Sequence, residues 1–318
     1  MEELHNRSGP LDAPLLERTD PALARPLSGA LTQARSDILA AAGLLLGVPQ
    51  SSLGKEWLWI GGSDQEVRYG AYRAAEALET VEAVARYLLA RGEADETQAA
   101  RIIGPATAAR WDLHGLLMSI SEAALDAEPG GEEWTIRLVM GHIISGQRAY
   151  GWATAWWLAN PHEVGDPNLP AGIPDEIWKT LPDEATTEAE GTVEDLRARL
   201  DSALDLAAER LAGLADDGLK LAARWSGFPV DVGFRLGRWS SHIREHTIQI
   251  EKTLAMLGLS PDEPKRLARH VLDAYGRAES TVFGRRPGAA TEEVAERIAG
   301  AAVEARQVIS SAVEAAVG

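Results

Sequence analysis

Two of the chain's seven histidines, His242 and His246, stand four residues apart in HIREH, inside a stretch (LGRWSSHIREHTIQIEKTLAMLG) that is helical in pattern throughout. Residues i and i+4 share one face of an α-helix with Cβ atoms about 5–6 Å apart, so both imidazoles can be aimed at one point. A divalent ion binds imidazole nitrogen at about 2.0–2.1 Å. Two ligands from one helix are not a site, however, and a helical core must bring others from facing helices. Taken alone, His-x-x-x-His more often marks two core histidines hydrogen-bonded to neighbouring helices.

The apolar stripe of this helix is Leu236, Trp239, Ile243, Ile250, Leu254 and Leu257, and the histidines lie on or beside it. They therefore face inward, where an unpaired imidazole N–H costs on the order of 1–3 kcal/mol. A third histidine strengthens the metal reading. In GEEWTIRLVMGHIISGQRAYGWATAWWL, residues 131–158, His142 follows Trp134 by two turns, and Val139, Ile143, Tyr150 and Trp157 mark the buried side. Gly146, one turn beyond His142, leaves room for a ligand or a close helix approach.

The elements that must position these residues are almost all helical. Ala, Leu, Glu and Arg dominate, and apolar spacing predicts helices at about 20–46, 64–91, 105–127, 134–159, 192–214, 235–257, 262–284 and 290–316, with ends uncertain by a few residues. Thr192 before VEDL reads as an N-cap with an acidic first turn, and Gly258 after LAML as a left-handed C-cap. LAARWSGFPVDVGF, residues 221–234, reads as a small hairpin ahead of the His-x-x-x-His helix. Residues 160–191 hold five prolines and no continuous helix. A connection of that length covers a site or crosses a bundle from end to end.

Composition narrows the functions. Lys and Arg number 31 against 48 Asp and Glu, a net charge of −17, which repels phosphate backbones and argues against nucleic-acid and anionic-membrane partners. With no cysteine there is no disulfide, no zinc thiolate cluster and no catalytic thiol, so any transition metal must be held by His, Asp or Glu. The longest apolar run, residues 38–48, falls short of the ~20 residues of a membrane span, and the first residues lack the basic and apolar regions of a signal peptide. A soluble, cytoplasmic protein is expected.

A tryptophan opening a helix, a histidine two turns in and a later helix bearing His-x-x-x-His is a pattern that resembles the DinB-like (YfiT-like) metalloenzymes, with Trp134, His142, His242 and His246 at the matching places. The resemblance runs from about 105 to 260 and includes the long crossover. It implies a four-helix bundle holding a divalent metal with three histidines, His142, His242 and His246. It does not choose the reaction, because relatives include thiol S-transferases that use mycothiol or bacillithiol, mycothiol-dependent maleylpyruvate isomerases and metal-dependent hydrolases. Ergothioneine-synthase relatives often carry a carboxylate two residues past the motif; Ile248 stands there, against that branch.

The expected architecture is all-α, a DinB-like four-helix bundle at 105–260 with additional helices from both termini, 1–104 and 261–318. A degenerate second bundle, two helices from each end, is one arrangement; decoration of the first bundle or an oligomer interface is another. Eight residues on from Trp57 or Trp59 stand Gln65 and Val67, and Ala274 follows His270 by four, so no second ligand set is expected. The function expected is that of a metal-dependent transferase or hydrolase acting on a small molecule, with zinc best suited to the ligands, nickel or iron acceptable, and a low-molecular-weight thiol as co-substrate. Its rival is a non-catalytic helical protein that binds a ligand or oligomerises. Among secondary candidates, His114 reads as a second base or, more readily, a partly exposed helix residue. Glu245 reads as a solvated face residue, Arg148 and Arg238 as steering groups for an anion or plain surface arginines, and Trp152, Trp156 and Trp157 as core or a pocket wall. Trp178 reads as a loop anchor, and His162 and His270 are given no role.

Overall fold

The computed structural model describes residues 28–59, 63–92, 97–159, 175–179, 181–225 and 228–317. Eight long helices dominate: α1 Gly29–Leu46, α2 Arg68–Arg91, α3 Gln98–Leu117, α4 Ile136–Ala159, α5 Val193–Leu211, α6 Val232–Met256, α7 Glu263–Ser280 and α8 Ala289–Val317. Their starts have identifiable causes. Ser28, Thr97, Asp231 and Asp262 each accept a hydrogen bond from a first-turn amide, and Thr192 and Asp195 form a reciprocal capping box. Gly258 ends α6 at φ 71°, in the left-handed region that favours glycine.

The helices form two rings. In the first, α3 and α4 each pack on α5 and α6, around Ile103, Leu116, Val139, Ile143, Leu200, Leu204, Leu236 and Trp239. In the second, α1 and α2 each pack on α7 and α8, around Ile38, Leu45, Leu78, Val271, Tyr275, Ile298 and Ile309. The four terminal helices thus build a bundle with its own core rather than scattering over the first. Both rings have the same connectivity, with the first two helices lying across the ring from each other and the last two likewise. Among the described residues no helix is long and apolar enough to cross a membrane.

Three local expectations need correction. The third helix begins at Gln98 rather than 105 and carries Pro105 within it, then stops at Leu117 before a separate turn, Glu122–Leu125, capped by Ser121. Thr97 supplies the cap, and the helix tolerates the one amide that the proline removes. A second hairpin, β1 Glu56–Trp59 with β2 Ser63–Glu66, occupies the start of the segment expected to be helical from 64, because Trp57 buries its ring against α8 and its indole N–H donates to Ser311 at 3.1 Å. His114 is fully buried on Asp201, at 2.8 Å, and not partly exposed. The hairpin expected before α6 is present as β3 Ala222–Trp225 and β4 Phe228–Asp231. The part of the first predicted helix before residue 28 lies outside the described residues, as does His162.

The rings are joined where α7 lies along α3. A Cβ at Gly115 would stand 2.7 Å from Arg269 Cα, and one at Gly276 2.6 Å from Trp111 Cβ, so the contact is close because these residues lack side chains. Beside it sits a buried ionic cluster drawn from both bundles. Arg35 binds Asp205 at 2.8 Å and Glu279 at 2.7 Å, and Arg110 binds Asp205 at 2.6 Å and Glu279 at 2.9 Å. Thr107 and Tyr275 donate to the same Glu279 carboxylate at 2.7 and 2.8 Å. Burial pushes the Glu279 carboxyl up, but the Arg35 and Arg110 guanidiniums outweigh it and hold the group well below the usual carboxylate range. Glu279→Ala leaves Arg35 and Arg110 to share Asp205 in this interface and should cost about 3–5 kcal/mol in a urea unfolding titration. A loss below about 1 kcal/mol would show that the cluster is not a significant source of stability.

Candidate metal centre

His142 projects from α4 and His242 and His246 from α6, and the two helices lie antiparallel in the first ring, with His142 beside His246 and Trp157 beside Arg235. The three ring centroids are 4.4–5.1 Å apart, and one ligand atom from each histidine lies within 4.8 Å of the others. His142 Nε2 and His242 Nε2 stand 3.3 Å from each other. Two nitrogens held at about 2.0–2.1 Å in a tetrahedral shell are separated by about 3.3 Å, so this pair already has the spacing of a zinc edge.

The outer nitrogens have partners of their own. Nδ1 of His142 lies 3.0 Å from Glu184 Oε1, and Nδ1 of His246 lies 2.7 Å from Gln249 Oε1. Each acceptor favours the tautomer with the proton on Nδ1, which leaves Nε2 as a lone-pair donor toward the centre. His242 Nδ1 faces Gln147, whose Nε2 sits 3.3 Å away and equally 3.3 Å from the Trp239 carbonyl, while Gln147 Oε1 is buried with no partner.

Electrostatics favours neutral rings on α6. Burial, and then the neighbouring His246 and His142, push His242 down to about 3, and burial also lowers His246. Neutral imidazole is the form a metal requires. Packing explains how the rings come together. A Cβ at Gly146 would fall well inside contact distance of His242 Cε1, so only glycine lets the ring lie on α4. Trp134 sets its edge against His142 at 5.4 Å between centroids, and Tyr150 does so against His242, also at 5.4 Å.

Other candidates are placed apart from the centre. Arg148 is not a surface group: it is buried in an ion pair with Glu188, near the end of the crossover. Arg238 bonds Glu245 at 2.7 Å, with Glu245 half in solvent. Trp152, Trp156 and Trp157 are buried, and Trp178 packs on Trp152 at 5.3 Å, which ties the crossover to α4 as expected. His270 lies against Tyr72 in the second bundle. Sequence reasoning missed Glu184, Gln147, Gln249 and Arg235. Only Gln249, three residues after His246, had a local signal.

The family match falls on the first bundle. Residues 105–250 match the family model of the DinB superfamily, a segment that begins inside α3, ends inside α6 and contains all three histidines. Among solved structures, YfiT from Bacillus subtilis, described as a probable metal-dependent hydrolase with an unusual four-helix bundle topology, is similar at 16% identity, covering 51% of this chain and 89% of its own, with a TM-score of 0.36. No curated protein matches the sequence.

Removing the carboxylate on His142 tests the outer contacts. Glu184→Ala should weaken zinc affinity by about 10–100-fold in a competitive chelator titration, with one site still filled at saturation. Unchanged affinity would make the Glu184 contact incidental. Gly146→Ala should weaken it as well, by displacing the His242 ring.

Proposed function

We propose that the first bundle is a metal-dependent enzyme of the thiol-transferase or hydrolase type, with a divalent ion on His142, His242 and His246. The 3.3 Å approach of Nε2 atoms from two separate helices supports this most directly. Zinc suits three neutral nitrogens, and nickel and ferrous iron also accept imidazole. When bound, such an ion keeps its full charge and an open position, and lowers the pKa of a water or thiol toward neutrality.

The chain's own residues prepare that chemistry. Glu184 and Gln249 hold the tautomers, and Gly146 fixes the depth of His242 against α4. Trp134 and Tyr150 pack against His142 and His242 in T-shaped contacts that brace the two rings. With no cysteine anywhere in the chain, a thiol nucleophile has to come from outside, as a low-molecular-weight co-substrate, and the hydrolase form uses water.

Elemental analysis of protein purified without chelator should find about one divalent ion per chain, and near none in His242→Ala and His246→Ala. A wild-type chain that neither retains zinc, nickel or iron nor takes it up would refute the proposal. If metal is present, metal-dependent transfer of a small thiol to 1-chloro-2,4-dinitrobenzene favours the transferase form, and hydrolysis of an ester or amide without thiol favours the hydrolase.

A further inference from the structure

Three arginines are buried in the described chain, and they differ in one respect. Arg110 has Asp205 and Glu279, and Arg148 has Glu188. Arg235 has no carboxylate among the described residues, although its exposure is 5%. Taking a guanidinium out of water costs several kcal/mol unless an anion or a full set of acceptors replaces the solvent. Its faces are occupied, by Trp157 at 4.8 Å and Tyr150 at 5.3 Å. Its edge is not: Nη1 donates to the Arg224 carbonyl, while Nε has no partner. Cation–π contact is worth about 0.5–2 kcal/mol and leaves the in-plane N–H groups unsatisfied.

The position of this residue gives the vacancy a use. Arg235 stands two turns before His242 on α6, about 10 Å along the axis at 1.5 Å per residue. Tyr150 bridges the two, with one contact to the guanidinium of Arg235 and another to the ring of His242. A second cation, Arg238, lies between them in sequence, interacts with the Tyr150 side chain and stacks on Trp225 at 5.0 Å. We propose that Arg235, supported by Arg238, anchors a carboxylate of the small-molecule substrate whose reacting end lies at the three-histidine centre. With both faces covered by aromatic rings, the guanidinium offers a planar anion its in-plane Nε edge, in the two-pronged manner of arginine with carboxylate. Burial lowers the Arg235 guanidinium to about 10, which leaves it charged at neutral pH. This inference rests on the metal-enzyme reading for the reacting end only.

The test is calorimetric titration of the full chain with benzoate, benzamide and inorganic phosphate, with zinc and without it, alongside metal analysis of the same samples. Wild type should bind benzoate at least tenfold more tightly than R235M does, in both zinc states, and more tightly than it binds benzamide or phosphate. Equal affinity in R235M, equal affinity for benzamide, tighter phosphate binding, or no benzoate binding by wild type would overturn the anchor and leave Arg235 a purely structural cation. If R235M does not fold by circular dichroism, R235K replaces it, since it keeps the charge and loses the planar fork; it should weaken benzoate and leave metal content unchanged. Arginine-dependent benzoate binding in a chain that takes up no metal would refute the metal reading and leave the anchor standing. Full metal loading without arginine dependence would do the reverse.

Discussion

Three imidazoles meet in this chain because nothing larger than a hydrogen atom stands at position 146. Any side chain there would collide with the His242 ring and push it from its place against α4. With that seam closed, His142 reaches both histidines of α6, and the Nε2 atoms of His142 and His242 take up a spacing suited to one ion. The remaining interactions then act on rings already in place. Glu184 and Gln249 select tautomers, burial keeps the two rings of α6 neutral, and Trp134 and Tyr150 pack against His142 and His242.

The second bundle contributes to this indirectly. It shares the connectivity of the first but not its histidines, and its α7 lies against α3, which is one wall of the histidine-bearing ring. The joint is held by missing side chains at Gly115 and Gly276 and by paired charges around Glu279. A buried ion pair of this kind is a weak source of net stability but a strong selector of arrangement, because every misaligned packing leaves a charge unpaired. The structural effect is to fix α3, and through it the ring that carries the centre.

Much of this was legible in the sequence, for reasons tied to particular residues. His142, His242 and His246 sit at helical intervals on apolar stripes, and periodicity is the signal that sequence carries best. Thr192 and Gly258 mark helix ends by local chemistry, and both behave as read. Glu184 was not legible, because a proline-rich crossover brings it to His142 and no spacing connects positions 42 residues apart. Arg148 and Arg235 look alike in sequence, each an arginine on an amphipathic helix. Only tertiary packing gives one a buried carboxylate and the other two aromatic rings. The third helix starts ahead of the expected 105 because Thr97 caps it eight residues earlier and Pro105 is accommodated inside it.

The seam at Gly146 and the metal centre are therefore one claim, and the ligand shell of a loaded protein tests it most directly. X-ray absorption on the zinc-reconstituted chain should show three imidazole nitrogens at about 2.0–2.1 Å, falling to two in His142→Ala. A shell of oxygen ligands, or one that does not change when His142 is removed, would contradict it.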